Sequence, residues 1–86
     1  MKYKPCYIKL RKEKQCAIVM TDDYILFLLN ETGYEILQLI SLDLSRDDMV
    51  NNLLKKYSDI NPCQVENDID DYLSFMIDKR IIEIVR

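Results

Sequence analysis

The chain predicts an α+β fold, strands first and helices after, on three observations. Short strand-like segments, one of them alternating apolar with polar or basic residues from Cys6 to Arg11, lie ahead of Asn30. Helix-start signals then recur at Asn30, Ser45 and Asn61. A β-branched run, Ile81-Ile82-Glu83-Ile84-Val85, closes the sequence.

In the first strand, Cys6, Ile8 and Leu10 alternate with Tyr7, Lys9 and Arg11, giving one apolar and one largely basic face. Lys12 to Gln15 turns the chain, and Cys16 to Met20 reads as the partner strand. Thr21-Asp22-Asp23 forms a second turn of the Asx type. Tyr24 to Leu29 is the third strand, and it is unusual in being apolar on both faces. Tyr24, Leu26 and Leu28 share one side; Ile25, Phe27 and Leu29 share the other. Consecutive short strands with tight turns favour an antiparallel three-stranded meander.

Each helix carries its own start. Asn30 or Thr32 caps the first, Thr32-Gly33-Tyr34-Glu35 fits a capping box, and Gly33 allows a neighbour to approach closely. Its core stripe is Ile36, Leu37 and Ile40. Ser45 opens the second, with Leu44 placed to staple against Met49 and a stripe of Val50, Leu53, Leu54 and Tyr57. Asn61 caps the third, Pro62 takes its first position, Gln64 closes a box and Ile60 staples on Val65. The stripe here is Val65, Ile69, Tyr72, Leu73 and Met76. The expected order is a three-stranded antiparallel sheet, three helices and a short C-terminal strand, the outline of a winged helix-turn-helix.

With 86 residues, 49% of them apolar and 31% charged, the chain reads as one globular domain, 1–86, with a modest core. Its longest uncharged apolar run, Tyr24 to Leu29, is far short of the roughly 20 residues that span a bilayer. The basic start MKYKPCYIKL followed by RKEK is no signal core, so a cytoplasmic protein is expected, with no membrane partner. Cys6, Cys16 and Cys63 form no CxxC pair and there is no His, so zinc is not expected and the cysteines read as small buried or half-buried apolar residues. Charge is uneven: residues 1–16 carry a net +5 and the remainder a net −8.

These features sort the function classes. Without His, a phosphate-cradling glycine loop or a serine elbow, the chain is not expected to be an enzyme or to hold a cofactor. The adjacent pairs Asp22-Asp23, Asp47-Asp48 and Asp70-Asp71 read as solvated surface. A winged-helix DNA-binding regulator is the alternative the element order suggests. Its reading helix, Asn61 to Arg80, would carry a net −3 against a polyanion that binds through phosphate neutralisation, so no nucleic acid is expected. A peptide-binding module fits better, since an extended peptide can add as a strand to an open edge at Tyr24–Leu29. A helical wheel sets Asp68, Asp71 and Phe75 on one flank of the third helix as a wall beside that edge.

LLNETGYEIL, the capped second helix and DIDDYLSFMIDKRIIE together resemble the PqqD-like family, from about Tyr7 to Val85, with Leu29-Asn30-Glu31-Thr32-Gly33 the most specific part. Members recognise leader peptides in pathways that modify ribosomally made peptides. The resemblance implies a non-catalytic adaptor that pairs a precursor's leader peptide with the third strand. Carried over by position, Tyr24, Ile25, Leu26, Phe27 and Leu28 form the pairing edge, and Asp68, Asp71, Tyr72 and Phe75 the wall. The implied enzyme partner is a radical-SAM protein or other tailoring enzyme, or a leader peptidase of the lasso type. Such domains often carry Gly after the first and third helices; here Leu42-Asp43-Leu44 and Arg80-Ile81 stand there, which makes a left-handed helix end less comfortable.

Overall fold

A computed structural model describes residues 2–57, 59 and 61–85. The elements are β1 (Lys2–Pro5), β2 (Lys9–Lys12), β3 (Cys16–Met20), β4 (Leu26–Asn30), α1 (Glu31–Ser41), α2 (Arg46–Lys56), α3 (Pro62–Asp78) and β5 (Ile82–Val85). The expected three-stranded antiparallel sheet is present in the order β2-β3-β4, so β4 lies at an edge. The three helices and the C-terminal strand follow as expected.

Three strand boundaries need correction. Lys2–Pro5 was not expected to be a strand, yet it pairs antiparallel with β5 in a separate two-stranded sheet. Tyr3 is its one buried residue, and Lys4 reaches Glu83 directly across at 2.7 Å. The strand expected through Cys6 and Ile8 begins only at Lys9, because Cys6 N–H donates to Ile81 O at 2.8 Å while Ile8 N–H donates to Met20 O at 2.9 Å. That stretch carries the chain from one sheet to the other. The strand expected from Tyr24 begins at Leu26, because Thr21 to Ile25 is consumed by a turn. Tyr24 N–H donates to Thr21 O, Thr21 N–H donates to Ile25 O, and Tyr24 sits in the left-handed region at φ 64°. This is a tight turn closed by a left-handed residue, in a place that usually holds Gly.

Helix starts follow the caps. Asn30 Oδ1 accepts from Gly33 N–H at 2.9 Å, which settles the first cap on Asn30 rather than Thr32. Ser45 Oγ accepts from Asp48 N–H, and Asn61 Oδ1 from Cys63 N–H. Glu35, expected in the capping box, turns instead to α2, where Tyr57 Oη donates to it at 2.7 Å and Lys56 Nζ lies 2.6 Å away. The staple through Ile60 falls outside the described residues. Cys6 and Cys16 are half-buried, whereas Cys63, in the first turn of α3, is exposed.

The core gathers Ile36, Leu37 and Ile40 of α1, Met49, Val50 and Leu53 of α2, and Val65, Ile69, Leu73 and Met76 of α3. Ala17, Val19 and Leu29 supply the sheet side. Across the helix layer, Arg46 grips Asp70 with two hydrogen bonds of 2.8 and 2.9 Å, holding that carboxyl below its ordinary range. No helix is long and apolar enough to cross a membrane among the described residues.

The missing glycines do not prevent left-handed helix ends. Asp43 at φ 62° and Arg80 at φ 61° take those places. After α3, Ile81 N–H bonds Met76 O and Arg80 N–H bonds Ile77 O, the paired closure of a Schellman end. A Cβ in that conformation is disfavoured by roughly 1–2 kcal/mol. Arg80→Gly is therefore expected to raise stability by about 1 kcal/mol, read as a higher urea midpoint at unchanged slope; an equal or lower midpoint refutes stored strain at that residue.

Candidate functional site

The parity of β4 follows from its hydrogen bonds. On β3, Met20 O and Cys16 O accept from the β2 side, at Ile8 N–H and Glu13 N–H, while Thr21 N–H points to β4. Antiparallel pairs alternate, so Ala17 and Val19 also bond β4, opposite Leu29 and Phe27. The backbone N–H and C=O groups of Leu26 and Leu28 therefore face away from β3, toward an edge that no described strand occupies. Side chains alternate in the other dimension. Leu29 is buried and Phe27 half-buried on the helix side, while Leu26 and Leu28 project outward at 59% and 70% exposure.

Helix α3 runs beside this edge and flanks a shallow, open groove of about 270 Å³ lined by Leu28, Leu29, Asp71, Tyr72 and Phe75. Phe75 meets Phe27 edge-to-face at a centroid distance of 5.9 Å, so the inward side of β4 fixes the wall. Tyr72 Oη donates to Asn30 Oδ1, the same atom that caps α1. Partial burial pushes the Tyr72 phenol above its ordinary pKa, the Asn30 hydrogen bond opposes this, and the Asp68 carboxylate adds to it. The phenol thus stays protonated at neutral pH and keeps donating. A Cβ built on Gly33 would lie 2.8 Å from a Tyr72 ring carbon and 3.3 Å from Leu29 Cβ, so Gly33 is what lets the wall close over the start of α1.

Of the residues expected at the site, Leu28, Asp71, Tyr72 and Phe75 come together in this groove. Asp68 stands one turn nearer the start of α3, over a depression shared with Glu31, Thr32 and Tyr57. Neither Asp68 nor Asp71 has an ion-pair partner among the described residues. Phe27 supports the wall from behind, and Leu26 opens onto the outer sheet face. Tyr24 and Ile25 belong to the turn before β4, exposed at 77% and 50%. Leu29, the groove floor, was expected in the open edge but not among the pairing residues carried over from the family, and Asn30, the hinge of the wall, was not among the expected site residues. The signal for Asn30 was its capping position, which only the fold connects to Tyr72.

This geometry makes Gly33 and Tyr72 separable. Gly33→Ala is expected to displace the Tyr72 ring and cost about 1–3 kcal/mol, as overpacking does. Tyr72→Phe keeps the ring and loses one hydrogen bond, for about 1 kcal/mol. Thermal melts of the two variants check this ordering, and a Gly33→Ala protein as stable as the parent contradicts it.

Comparison with known proteins places this architecture. No curated protein matches the chain. Among solved structures it is similar to "TbiB1 in Complex with the TbiA(beta) Leader Peptide", with a TM-score of 0.83 at 18% identity over 100% of this chain and 99% of that one. The family model for coenzyme PQQ synthesis protein D (PqqD) matches residues 15–82, from the start of β3 to the first residue of β5. That match spans well over half of the sequence, and the chain belongs to the PqqD family.

Proposed function

We propose that residues 1–86 act as a non-catalytic adaptor. It binds the leader segment of a ribosomally synthesised precursor peptide as an added strand on β4. It then presents the remainder to a radical-SAM or other tailoring enzyme, or to a lasso-type leader peptidase. One observation carries this reading: the backbone groups of Leu26 and Leu28, which no described strand pairs, stand beside an apolar groove walled by α3. Main-chain bonds to such an edge supply affinity for any extended peptide, and the groove selects among side chains. Membership of the PqqD family and the fold shared with TbiB1, which was solved holding a leader peptide, support the peptide class.

The roles divide by atom. Leu26 and Leu28 offer main-chain donors and acceptors, with Tyr24 and Ile25 flanking the entrance from the turn. Tyr72 and Phe75 give an apolar wall braced by Asn30 and Phe27. Asp71 at the groove and Asp68 beyond it carry uncompensated negative charge, which suits a leader with Lys or Arg next to its apolar anchor. A precursor made on ribosomes is met in the cytoplasm, and that is where the adaptor works. No cofactor enters this function. The acidic α3 that suits a cationic peptide disfavours duplex DNA, and a mobility-shift assay at low salt is expected to show no complex.

Titration with the cognate leader is expected to move the amide resonances of Tyr24–Leu28 and α3; unmoved resonances there sink the reading. Backbone parity gives a sharper check. Leu28→Pro removes an N–H that faces the open edge, so the fold is expected to survive while leader affinity falls at least tenfold. Phe27→Pro removes an N–H bonded to β3 and is expected to unfold the hairpin. Asp71→Lys is expected to weaken a Lys- or Arg-bearing leader severalfold in calorimetry, and equal affinity takes Asp71 out of the site.

A further inference from the structure

The two-sided apolarity of β4 is only half used by the groove and the core. Ile18 and Met20 on β3 pair with Leu28 and Leu26 on β4, so all four share the sheet face opposite the helices. Lys9 and Arg11 of β2, paired with Met20 and Ile18, share it too. Lys9, Arg11, Ile18, Met20 and Leu26, with Leu10 at the β2 edge, line an open depression of about 490 Å³. The protein is a slab 19 Å across its thin axis, one sheet layer and one helix layer, and no described element covers the outer face of this sheet. An antiparallel sheet with one solvated side normally turns polar residues outward, and β3 and β4 do not.

Charge selects the occupant. Lys9 has no ion-pair partner among the described residues, and Arg11 meets only its neighbour Glu13, at 2.8 Å. The apolar centre thus has a basic margin, while the helical side of the molecule carries the acidic excess. A second copy would bring the same basic margin against this one, whereas an apolar patch edged with carboxylates complements it.

We propose that this outer face docks the enzyme that acts on the bound peptide, through a patch with an apolar centre and an acidic margin. The inference rests on the leader-recognition reading. A peptide strand added to β4 extends the same sheet, so its outward side chains would lie beside Leu26 and Leu28. One partner surface would then touch adaptor and peptide together, which makes recruitment depend on cargo while leaving a baseline affinity for the empty adaptor.

The probe is the purified tailoring enzyme or leader peptidase that acts on the cognate precursor, titrated against the full chain with and without synthetic leader, at low and at elevated salt. Lys9→Glu and Met20→Glu are the variants, since neither residue touches the groove, and melting curves report their folding. Each variant is expected to lose at least tenfold in enzyme affinity, with leader affinity within twofold of the parent, and added salt is expected to weaken the parent's complex. No binding of that enzyme, or equal binding by parent and by folded variants, overturns the proposal. So does a concentration-dependent dimer in sedimentation that Met20→Glu abolishes, because a second copy then covers the face. If the leader fails to bind while the variants still lose the enzyme, the docking face stands and the leader reading falls; the reverse pattern separates them the other way.

Discussion

One side-chain oxygen holds the candidate site together. Asn30 Oδ1 accepts the Gly33 N–H that the first turn of α1 would leave unpaired, and also the phenol of Tyr72 from α3. The last residue of β4, the start of α1 and the middle of α3 therefore share a fixed point. The core stripe Val65, Ile69, Leu73 and Met76 sets which face of α3 turns inward. The hydrogen bond from Tyr72 adds a directional tie at the groove end, beside Asp71 and Phe75. Gly33 is the condition for this arrangement, since any Cβ there meets the Tyr72 ring. The motif Asn-Glu-Thr-Gly thus joins a strand to a helix and at the same time seats a side chain from a third element.

The strand that ends at Asn30 serves three separate directions. Its backbone faces β3 at Phe27 and Leu29 and the open edge at Leu26 and Leu28, while its side chains alternate between the core and the outer sheet face. Because both alternations have a period of two, a slip of one residue would exchange all of these assignments at once. The register is held at both ends, by the turn in which Tyr24 and Thr21 bond and by the cap at Asn30. A left-handed tyrosine is an expensive way to make a turn, but it fixes where the pairing begins.

How much of this was legible in the sequence depended on whether the signal was local. The caps at Asn30, Ser45 and Asn61 are decided within three residues, and the helices begin where those residues stand. Asp68, Asp71 and Phe75 could be placed on one flank because helical spacing is also local, whereas spacing put Tyr72 in the core stripe and only the family resemblance put it in the wall. The strand β1 was not legible: Lys2-Tyr3-Lys4-Pro5 has a single residue to bury, and its partner Ile82–Val85 lies at the far end of the chain. The start of β4 was misjudged because Tyr24 and Ile25 have every strand-forming preference, and only the hydrogen bonds to Thr21 show that the turn claims them. Glu35 was assigned to a capping box by spacing, yet the phenol of Tyr57 and the ammonium of Lys56, both far along the chain, offer it charge-assisted bonds that the helix start does not. Asp43 and Arg80 show a further limit, since the Schellman closure at α3 overrides the local preference for glycine.

Charge and shape together would let so small a surface address the two partners proposed for it. The molecule spans 37 and 34 Å across its broad axes, and exposed charges are screened over about 8 Å at physiological ionic strength. The carboxylates of α3 and the basic residues of β2 therefore act on their own surroundings rather than cancelling through solvent, even though the chain as a whole carries only −3. In the function proposed above, a cationic extended peptide would be drawn to the groove side, and an acidic surface to the face behind it. A substitution on one side then alters one encounter with little effect on the other, because the elements between them are joined by a packed core and not by a shared charge network.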